Sequence, residues 1–206
     1  MASNEPSWKV RVAIEGVIAG LVAPIAVGIL LLFLGTQVGE WFDSPTCEDP
    51  ENLQLVDAIR AEASSVHTDT EEEGGLTHPA SDAHDGDLGT GWVEDAPDLG
   101  TGEWIEFQLP AGTNLRMVCI VNGYAKTAER YQVNGRARQV ATETDRGTTT
   151  ASLPDKATEA YAEFQQVAIA SGQTDSVRLT IRSVRASAGS SGTKDTAISE
   201  VEFWGE

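Results

Sequence analysis

The hydrophobic pattern divides the chain into one continuous apolar segment and a long region of alternating apolar and polar positions. The continuous segment is Val12 to Leu34, VAIEGVIAGLVAPIAVGILLLFL, which is apolar except for Glu15. As an α-helix its 23 residues would be about 35 Å long, enough to cross a hydrocarbon core of about 30 Å. A cleaved signal peptide is the alternative, but its apolar run is usually about 7–15 residues long and no small-x-small cleavage site follows here. The segment 12–34 therefore predicts a transmembrane helix.

The charges on either side of this helix predict its orientation. Lys9 and Arg11 precede the helix, whereas all of the charged residues that follow it before Arg60 are acidic. Short loops rich in Lys and Arg stay in the cytoplasm. We therefore expect residues 1–11 to form a cytoplasmic tail and residues 35–51 to form an extracytoplasmic stalk.

A GxxxG motif lies within the predicted helix. Gly16 and Gly20 form this motif, and small residues on one face let two membrane helices approach closely. The Gly16/Gly20 face could bind a membrane-protein partner. A plain anchor with several glycines is the alternative.

The rest of the chain has the two-residue period of β-strands. The runs EWIEFQL (103–109) and SVRLTIRSV (176–184) alternate apolar and polar positions, as half-buried strands do. The run LRMVCIV (115–121) is apolar at nearly every position, which is typical of an inner strand. Turn-forming dipeptides such as Asn-Gly separate these runs. Residues 52–206 are therefore predicted to form one all-β sandwich or jelly roll.

The net charge limits the partners that this region could bind. The chain has a formal charge of −18 and a pI near 4.4, which argues against nucleic acid because phosphate binding needs a basic surface. Cations and neutral glycans remain compatible with an acidic surface.

The two cysteines, Cys47 and Cys119, both lie on the predicted outer side of the membrane. That compartment permits a disulfide, and an even count of cysteines fits one. The alternative is that Cys119, inside an apolar run, packs as a free buried thiol.

Several short motifs along residues 52–206 together resemble the NADase-type glycan-binding domain, a bacterial branch of the discoidin-like, galactose-binding-like β-sandwiches. The motifs, in chain order, are ASS (63–65), DGD (85–87) with Thr90 and Trp92, GEWIEFQL (102–109), VNGYAK (121–126), NGR (134–136) and DTAISEVEFWG (195–205). The resemblance implies a galactose-binding-like jelly roll that is a binding module without catalytic activity. It also implies a bacterial protein. Together with the predicted helix and its orientation, the expected location is the bacterial cell membrane, with the C-terminal domain outside.

The loop HDGDLGTGW (84–92) is where discoidin-like domains commonly hold a structural Ca²⁺. The resemblance implies that Asp85, Asp87, Thr90 and Glu200 are the ligands, and hard oxygen ligands of this kind suit Ca²⁺. The alternative is a tight turn in which Asp85 accepts a backbone hydrogen bond and Glu200 pairs with an arginine.

A second patch combines amide, cationic and aromatic side chains, the groups that recognise sugar hydroxyls and ring faces. Its members are Asn122, Tyr124, Lys126, Tyr131, Asn134 and Arg136. The alternative is structural: the asparagines form turns, and Lys126 and Arg136 neutralise nearby carboxylates.

The sequence does not indicate an enzyme. His67, His78 and His84 all precede the core strands, and neither GxSxG nor HExxH occurs. Two functions remain. The first is a membrane-anchored module that binds a cell-surface or cell-wall glycan, and the second is a structural or accessory subunit of a bacterial membrane protein complex.

Overall fold

A computed structural model describes residues 44–187 and 195–206, with the exception of the Glu73 side chain. Within these ranges no helix is long and apolar enough to cross a membrane. The predicted transmembrane helix 12–34, its Gly16/Gly20 face and the cytoplasmic tail lie outside the described residues. Residues Pro45–Glu206 form one unit, and its architecture is described below.

Strands dominate this unit, which confirms the all-β prediction. The helical pieces are short: three 3-10 turns at Glu71–Glu73, Ala80–His84 and Thr158–Ala160, and one α-helix, α1, at Ala128–Val133. The strands are β1 (Gln54–Val56), β2 (Arg60–Ala63), β3 (Trp92–Val93), β4 (Trp104–Asn122), β5 (Arg136–Thr144), β6 (Gly147–Ser152), β7 (Gln165–Val167), β8 (Gly172–Arg185) and β9 (Ala197–Gly205).

All of the strand pairs are antiparallel, and β4 is at the centre of the arrangement. The main strand order is β1-β9-β4-β8-β5-β6, while β2 and β7 also pair with β4 and β3 pairs with β9. The first half of β4 lies between β2 and β8, and its second half lies between β7 and β9. One strand therefore joins the two halves of the sandwich.

The change of neighbours along β4 occurs at an irregular stretch between Gln108 and Thr113. Gly112 has a φ of 77° there, a conformation that glycine adopts without steric cost. Its N–H donates to the Asp175 carboxylate at 2.9 Å, which fixes the bend against β8. The two apolar runs that the sequence separates, 103–109 and 115–121, thus belong to one long bent strand.

The core consists of the apolar side chains that alternate along the strands and pack between them. Phe107 and Phe203 pack edge to face with ring centroids 5.0 Å apart, a favourable geometry for aromatic pairs. Trp92 is fully buried, and its indole N–H donates to the Ser65 carbonyl at 2.9 Å. Trp92 is therefore a core residue.

A disulfide joins Cys47 to Cys119, with their Cα atoms 5.8 Å apart. Cys119 is buried in the second half of β4, so the bond attaches the segment that precedes β1 to the central strand. The free-thiol alternative for Cys119 is therefore wrong.

Candidate functional site

An open polar cleft of about 170 Å³ lies where several loops meet at one end of the strands. Its residues come from the loop between β2 and β3, from the end of β3, from the segment around α1, and from Asp195, two residues before β9. They are His67, Asp69, Leu76, His78, Val93, Tyr124, Lys126, Arg130, Asn134 and Asp195.

The two histidines reach the cleft because the loop between β2 and β3 folds back on itself. Thr68 and Thr77 form an antiparallel bridge, and the His78 N–H donates to the His67 carbonyl at 3.0 Å. The imidazole rings of His67 and His78 consequently stack, with centroids 6.2 Å apart. The hairpin therefore places both rings on the same wall.

Carboxylates hold these imidazoles in place. Asp69 Oδ1 lies 3.1 Å from His78 Nε2 and 3.6 Å from His67 Nε2. His67 Nδ1 lies 3.1 Å from Asp95 and 4.0 Å from Asp195. Burial raises the pKa of Asp195, while the neighbouring His67 lowers it and Asp95 raises it further. We call Asp69, Asp195 and the two histidines the acidic wall of the cleft.

Tyr124 lines the cleft beside the acidic wall. Its ring meets His78 edge-on, with centroids 5.6 Å apart. Burial raises the pKa of the phenol; the charge of Asp69 raises it further, while the charge of Arg130 lowers it. Lys126 and Arg130 are exposed and line the same cleft, and we call these two residues the basic wall.

The basic wall owes its position to the start of α1. Thr127 is the N-cap, and its side chain accepts a hydrogen bond from the Arg130 N–H at 3.1 Å. Capping of this kind satisfies a backbone donor that the first turn leaves free. Asn134 ends the same helix, and its side-chain amide donates to the Arg130 carbonyl at 2.8 Å.

Three residues of the predicted sugar-binding patch support the cleft from below and do not line it. Asn122 exchanges two hydrogen bonds with the backbone of Ala137, at 2.7 and 3.0 Å. Arg136 forms an ion pair with Asp155 at 2.9 Å, and its guanidinium lies 4.6 Å from the centre of the Tyr131 ring. All three side chains are buried and belong to the scaffold, and Arg136 neutralises a carboxylate as the structural alternative expects.

Asp155 forms ion pairs with two arginines. Burial alone would raise the pKa of this carboxyl group, but the hydrogen bond and the charge of Arg136, together with the charge of Arg185, lower it overall. The Tyr131 hydroxyl also donates to this carboxylate at 3.3 Å. The network fixes the end of α1 against β5, while Tyr124, Lys126 and Asn134 remain the patch residues in the cleft.

The predicted calcium loop forms a hydrogen-bonded turn around Asp85. The Asp87 N–H donates to Asp85 at 2.8 Å, and Thr90 Oγ1 donates to Asp85 at 2.9 Å. The Asp87 carboxylate accepts from the Gly89 N–H at 2.8 Å. Among the described residues, no three His, Cys, Asp or Glu side chains converge closely enough to share a metal ion. The oxygen chemistry suits Ca²⁺, but the three carboxylates do not converge, and calcium binding stays a prediction.

Glu200 reaches this loop from β9. Its carboxylate accepts a hydrogen bond from the Gly86 N–H at 3.1 Å, and not from an arginine as the tight-turn alternative has it. The residue is only 4% exposed. Burial raises the pKa of Glu200 to about 7, against the opposing effect of the Gly86 hydrogen bond, and the charge of Asp85 adds to the rise.

Sequence analysis missed the acidic wall. His67 and His78 precede the core strands, and this position does not indicate a binding site. The signal that could have identified them is the symmetrical run H-T…T-H across 67–78 with two glycines at 74–75, which is typical of a hairpin. Asp195 has no comparable local signal.

The fold and the cleft together define a discoidin-like β-sandwich domain. The sequence of residues 55–204 matches the NAD glycohydrolase translocation F5/8 type C domain family. The chain belongs to this family, which confirms the resemblance found in its motifs. No curated protein matches the chain.

Solved structures show the same fold. A domain of the arabinofuranosyltransferase AftD from Mycobacteria superposes with a TM-score of 0.52 and 21% identity, over 73% of this chain and 11% of that one. An F5/8 type C domain from Bacteroides fragilis superposes with a TM-score of 0.51 and 15% identity, over 76% of this chain and 99% of that one. The chain thus spans about a tenth of the length of AftD. At these identities the similarity concerns the fold alone.

Proposed function

We propose that this chain is a membrane-anchored, non-catalytic module that binds a cell-surface or cell-wall glycan outside the bacterial cell. The observation that carries the proposal is the polar cleft between the acidic and basic walls. The cleft lies on loops that a rigid β-sandwich supports, the usual location of binding sites in such folds. Fold alone does not assign function, so the chemistry of the cleft is the main argument.

The cleft offers the groups that a sugar needs. A sugar hydroxyl both donates and accepts hydrogen bonds, and the cleft supplies acceptors on Asp69 and Asp195 and donors on Lys126 and Arg130. Leu76 is 55% exposed at its edge and can contact the C–H face of a sugar ring. Few apolar groups surround a ligand here, so we expect binding to rest on hydrogen bonds.

The cleft chemistry favours binding over catalysis. The residues that line it include no serine, threonine or cysteine, and its two aspartates, which could also act as nucleophiles, lie against the histidines. The imidazoles of His67 and His78 are both held by the Asp69 carboxylate within their own wall. We therefore assign the histidines to shaping the cleft.

The disulfide supports the extracytoplasmic placement of the domain. Disulfides form and persist in oxidising compartments and are rare in the cytosol. The Cys47–Cys119 bond therefore agrees with the orientation predicted from Lys9 and Arg11. The anchor itself is proposed from the apolar run 12–34.

The test is glycan binding by the full chain in detergent micelles. A glycan array should show a bound class of sugars, and the Asp69→Asn variant should bind that class at least about tenfold more weakly, because one charge-assisted hydrogen bond is lost. Glu143→Gln, at an exposed position of β5 outside the cleft, is the matched control. Absence of any bound glycan, or equal binding by both variants, would contradict the proposal.

A second function, an accessory subunit of a membrane protein complex, is favoured by one feature. Leu55 and Ile59 are 49% and 66% exposed near the start of the domain, and such exposed apolar side chains suit a protein contact. Affinity purification from native membranes tests this function. A stoichiometric membrane protein that is lost with Leu55→Ser would support it.

A further inference from the structure

The basic wall has no acidic partner inside the protein. Among the described residues, no carboxylate lies within 4.0 Å of Lys126 or Arg130, whereas Arg136, Lys156 and Arg178 each form an ion pair at 2.9 Å or less. Three other arginines among the described residues, Arg138, Arg146 and Arg182, also form no ion pair. Lys126 and Arg130 differ from these arginines because both line the cleft.

The carboxylates of the cleft already contact the histidines of the acidic wall. Asp69 contacts both imidazoles, and Asp195 lies within 4.0 Å of His67. Tyr124 lines the cleft together with Asp69 and Arg130, and the charges of both residues act on the pKa of its phenol. The segment 188–194, AGSSGTK, which joins β8 to Asp195, contains no acidic residue and cannot supply a partner.

We infer that the cleft selects an anionic sugar, such as a uronic acid or a sulfated sugar, and that Lys126 and Arg130 bind its negative charge. The sugar hydroxyls then donate to Asp69 on the acidic wall. Arg130 presents a planar guanidinium that can bind a carboxylate or sulfate with two hydrogen bonds, while Lys126 acts as a point charge. This inference rests on the proposed glycan-binding function and names its substrate class.

The positions of the two bases also explain how an acidic protein binds an anion. The net charge of −18 repels an anionic polymer at long range, but this repulsion is screened beyond about 8–10 Å at physiological ionic strength. Contacts at a few ångströms then decide affinity. Binding should consequently require the local pair of cations, and neutralising that pair should remove the preference for charged sugars.

The experiment compares the full chain in detergent micelles with two double variants on one glycan array. The array carries neutral, amino, uronic, sialylated and sulfated glycans, and its uronic and sulfated members separate the two sources of negative charge. K126Q/R130Q removes the basic wall. The matched control R138Q/R182Q removes two exposed bases on the strands β5 and β8, which are outside the cleft.

The wild-type chain should bind anionic glycans in preference to neutral ones. K126Q/R130Q should weaken the anionic class by about tenfold or more, because each charged hydrogen bond is worth about this factor. The control should bind as the wild type does. Circular dichroism of both variants verifies the fold, which exposed substitutions should not alter.

The outcomes separate this inference from the proposed function. Binding that is confined to neutral or amino sugars would overturn the anionic selection and leave the glycan-binding function intact. Equal losses in the two double variants would also overturn it, since general charge rather than the basic wall would then control binding. If the array shows no bound glycan, both the inference and the proposed function fail.

Discussion

Glu94 gives the most quantitative prediction, because a fully buried carboxylate couples stability to pH. The side chain follows β3 and accepts hydrogen bonds from the N–H groups of Ala96 and Thr196, both at 2.7 Å. The loop closes tightly over it: a Cβ on Gly100 would lie 2.5 Å from the carboxyl carbon. Burial raises the pKa of Glu94 to about 7, although the two backbone hydrogen bonds lower it and the charges of Asp195 and Glu103 raise it further.

The sign and size of the effect follow from linkage. The pKa of Glu94 is about 7 in the folded state against a usual value of 4.5, so the folded protein holds this proton more tightly than the unfolded chain. Stability from this group is fully present below pH 4.5 and is lost as the pH rises through about 7. The full shift corresponds to about 3 kcal/mol in the free energy of unfolding, of which about 2 kcal/mol falls between pH 5.5 and pH 8.

The assay is denaturant unfolding of the full chain at pH 5.5 and at pH 8, with intrinsic tryptophan fluorescence as the signal. The wild type should be more stable at the lower pH. Glu94→Gln cannot titrate, so its stability should change less between the two pH values, by about 2 kcal/mol. Glu62→Gln, an exposed carboxylate on β2, should retain the wild-type dependence.

The comparison of slopes does not depend on how much Glu94→Gln changes stability at any single pH. If Glu94→Gln keeps the full wild-type pH dependence, Glu94 is ionised in the folded protein and burial does not raise its pKa. A wild type whose stability rises from pH 5.5 to pH 8 would also refute the reasoning. Glu200, whose pKa is also raised to about 7, contributes a second fall of the same sign in all three proteins.

Three further predictions concern the Cys47–Cys119 disulfide, the predicted calcium loop and the orientation in the membrane. Replacing Cys47 with alanine breaks a link across 72 residues to Cys119 and should lower the free energy of unfolding by about 4 kcal/mol in denaturant titrations; unchanged stability would contradict a role in folding. If Ca²⁺ binds at Asp85 and Glu200, a chelator should lower the melting temperature of the wild type and leave Asp85→Ala unaffected, whereas a wild-type melt that ignores chelator would refute the site. Protease added to spheroplasts should remove the domain beyond the 12–34 segment, and protection of that domain would reverse the orientation.

The strands were predictable because their signal is local. The runs 103–109 and 176–184 alternate with the two-residue period of a half-buried strand, and both lie in observed strands. The sequence could not show that 103–109 and 115–121 form one strand, because the bend between them depends on Asp175, which is 63 residues from Gly112. Whether Cys47 and Cys119 form a disulfide was not predictable for the same reason, since nothing local indicates which strand Cys47 contacts.

The candidate site was predicted only in part. Tyr124, Lys126 and Asn134 follow Asn-Gly and helix-end signals that place them in loops, and all three line the cleft. Arg136 has the same local signals, but it pairs with Asp155, 19 residues away, and becomes part of the scaffold. Composition shows which side chains are available, whereas long-range contacts decide which of them face a ligand.

The central claim is that the cleft between the acidic and basic walls is the glycan site. Its most direct test is photo-crosslinking of the full chain with a diazirine derivative of a glycan that the array selects, followed by mass spectrometry of the labelled peptides. The account predicts labels within 67–78 and 124–134, which competing unmodified glycan removes. Labels confined to another surface, such as the groove on the sheet lined by Arg60 and Asp175, would contradict it.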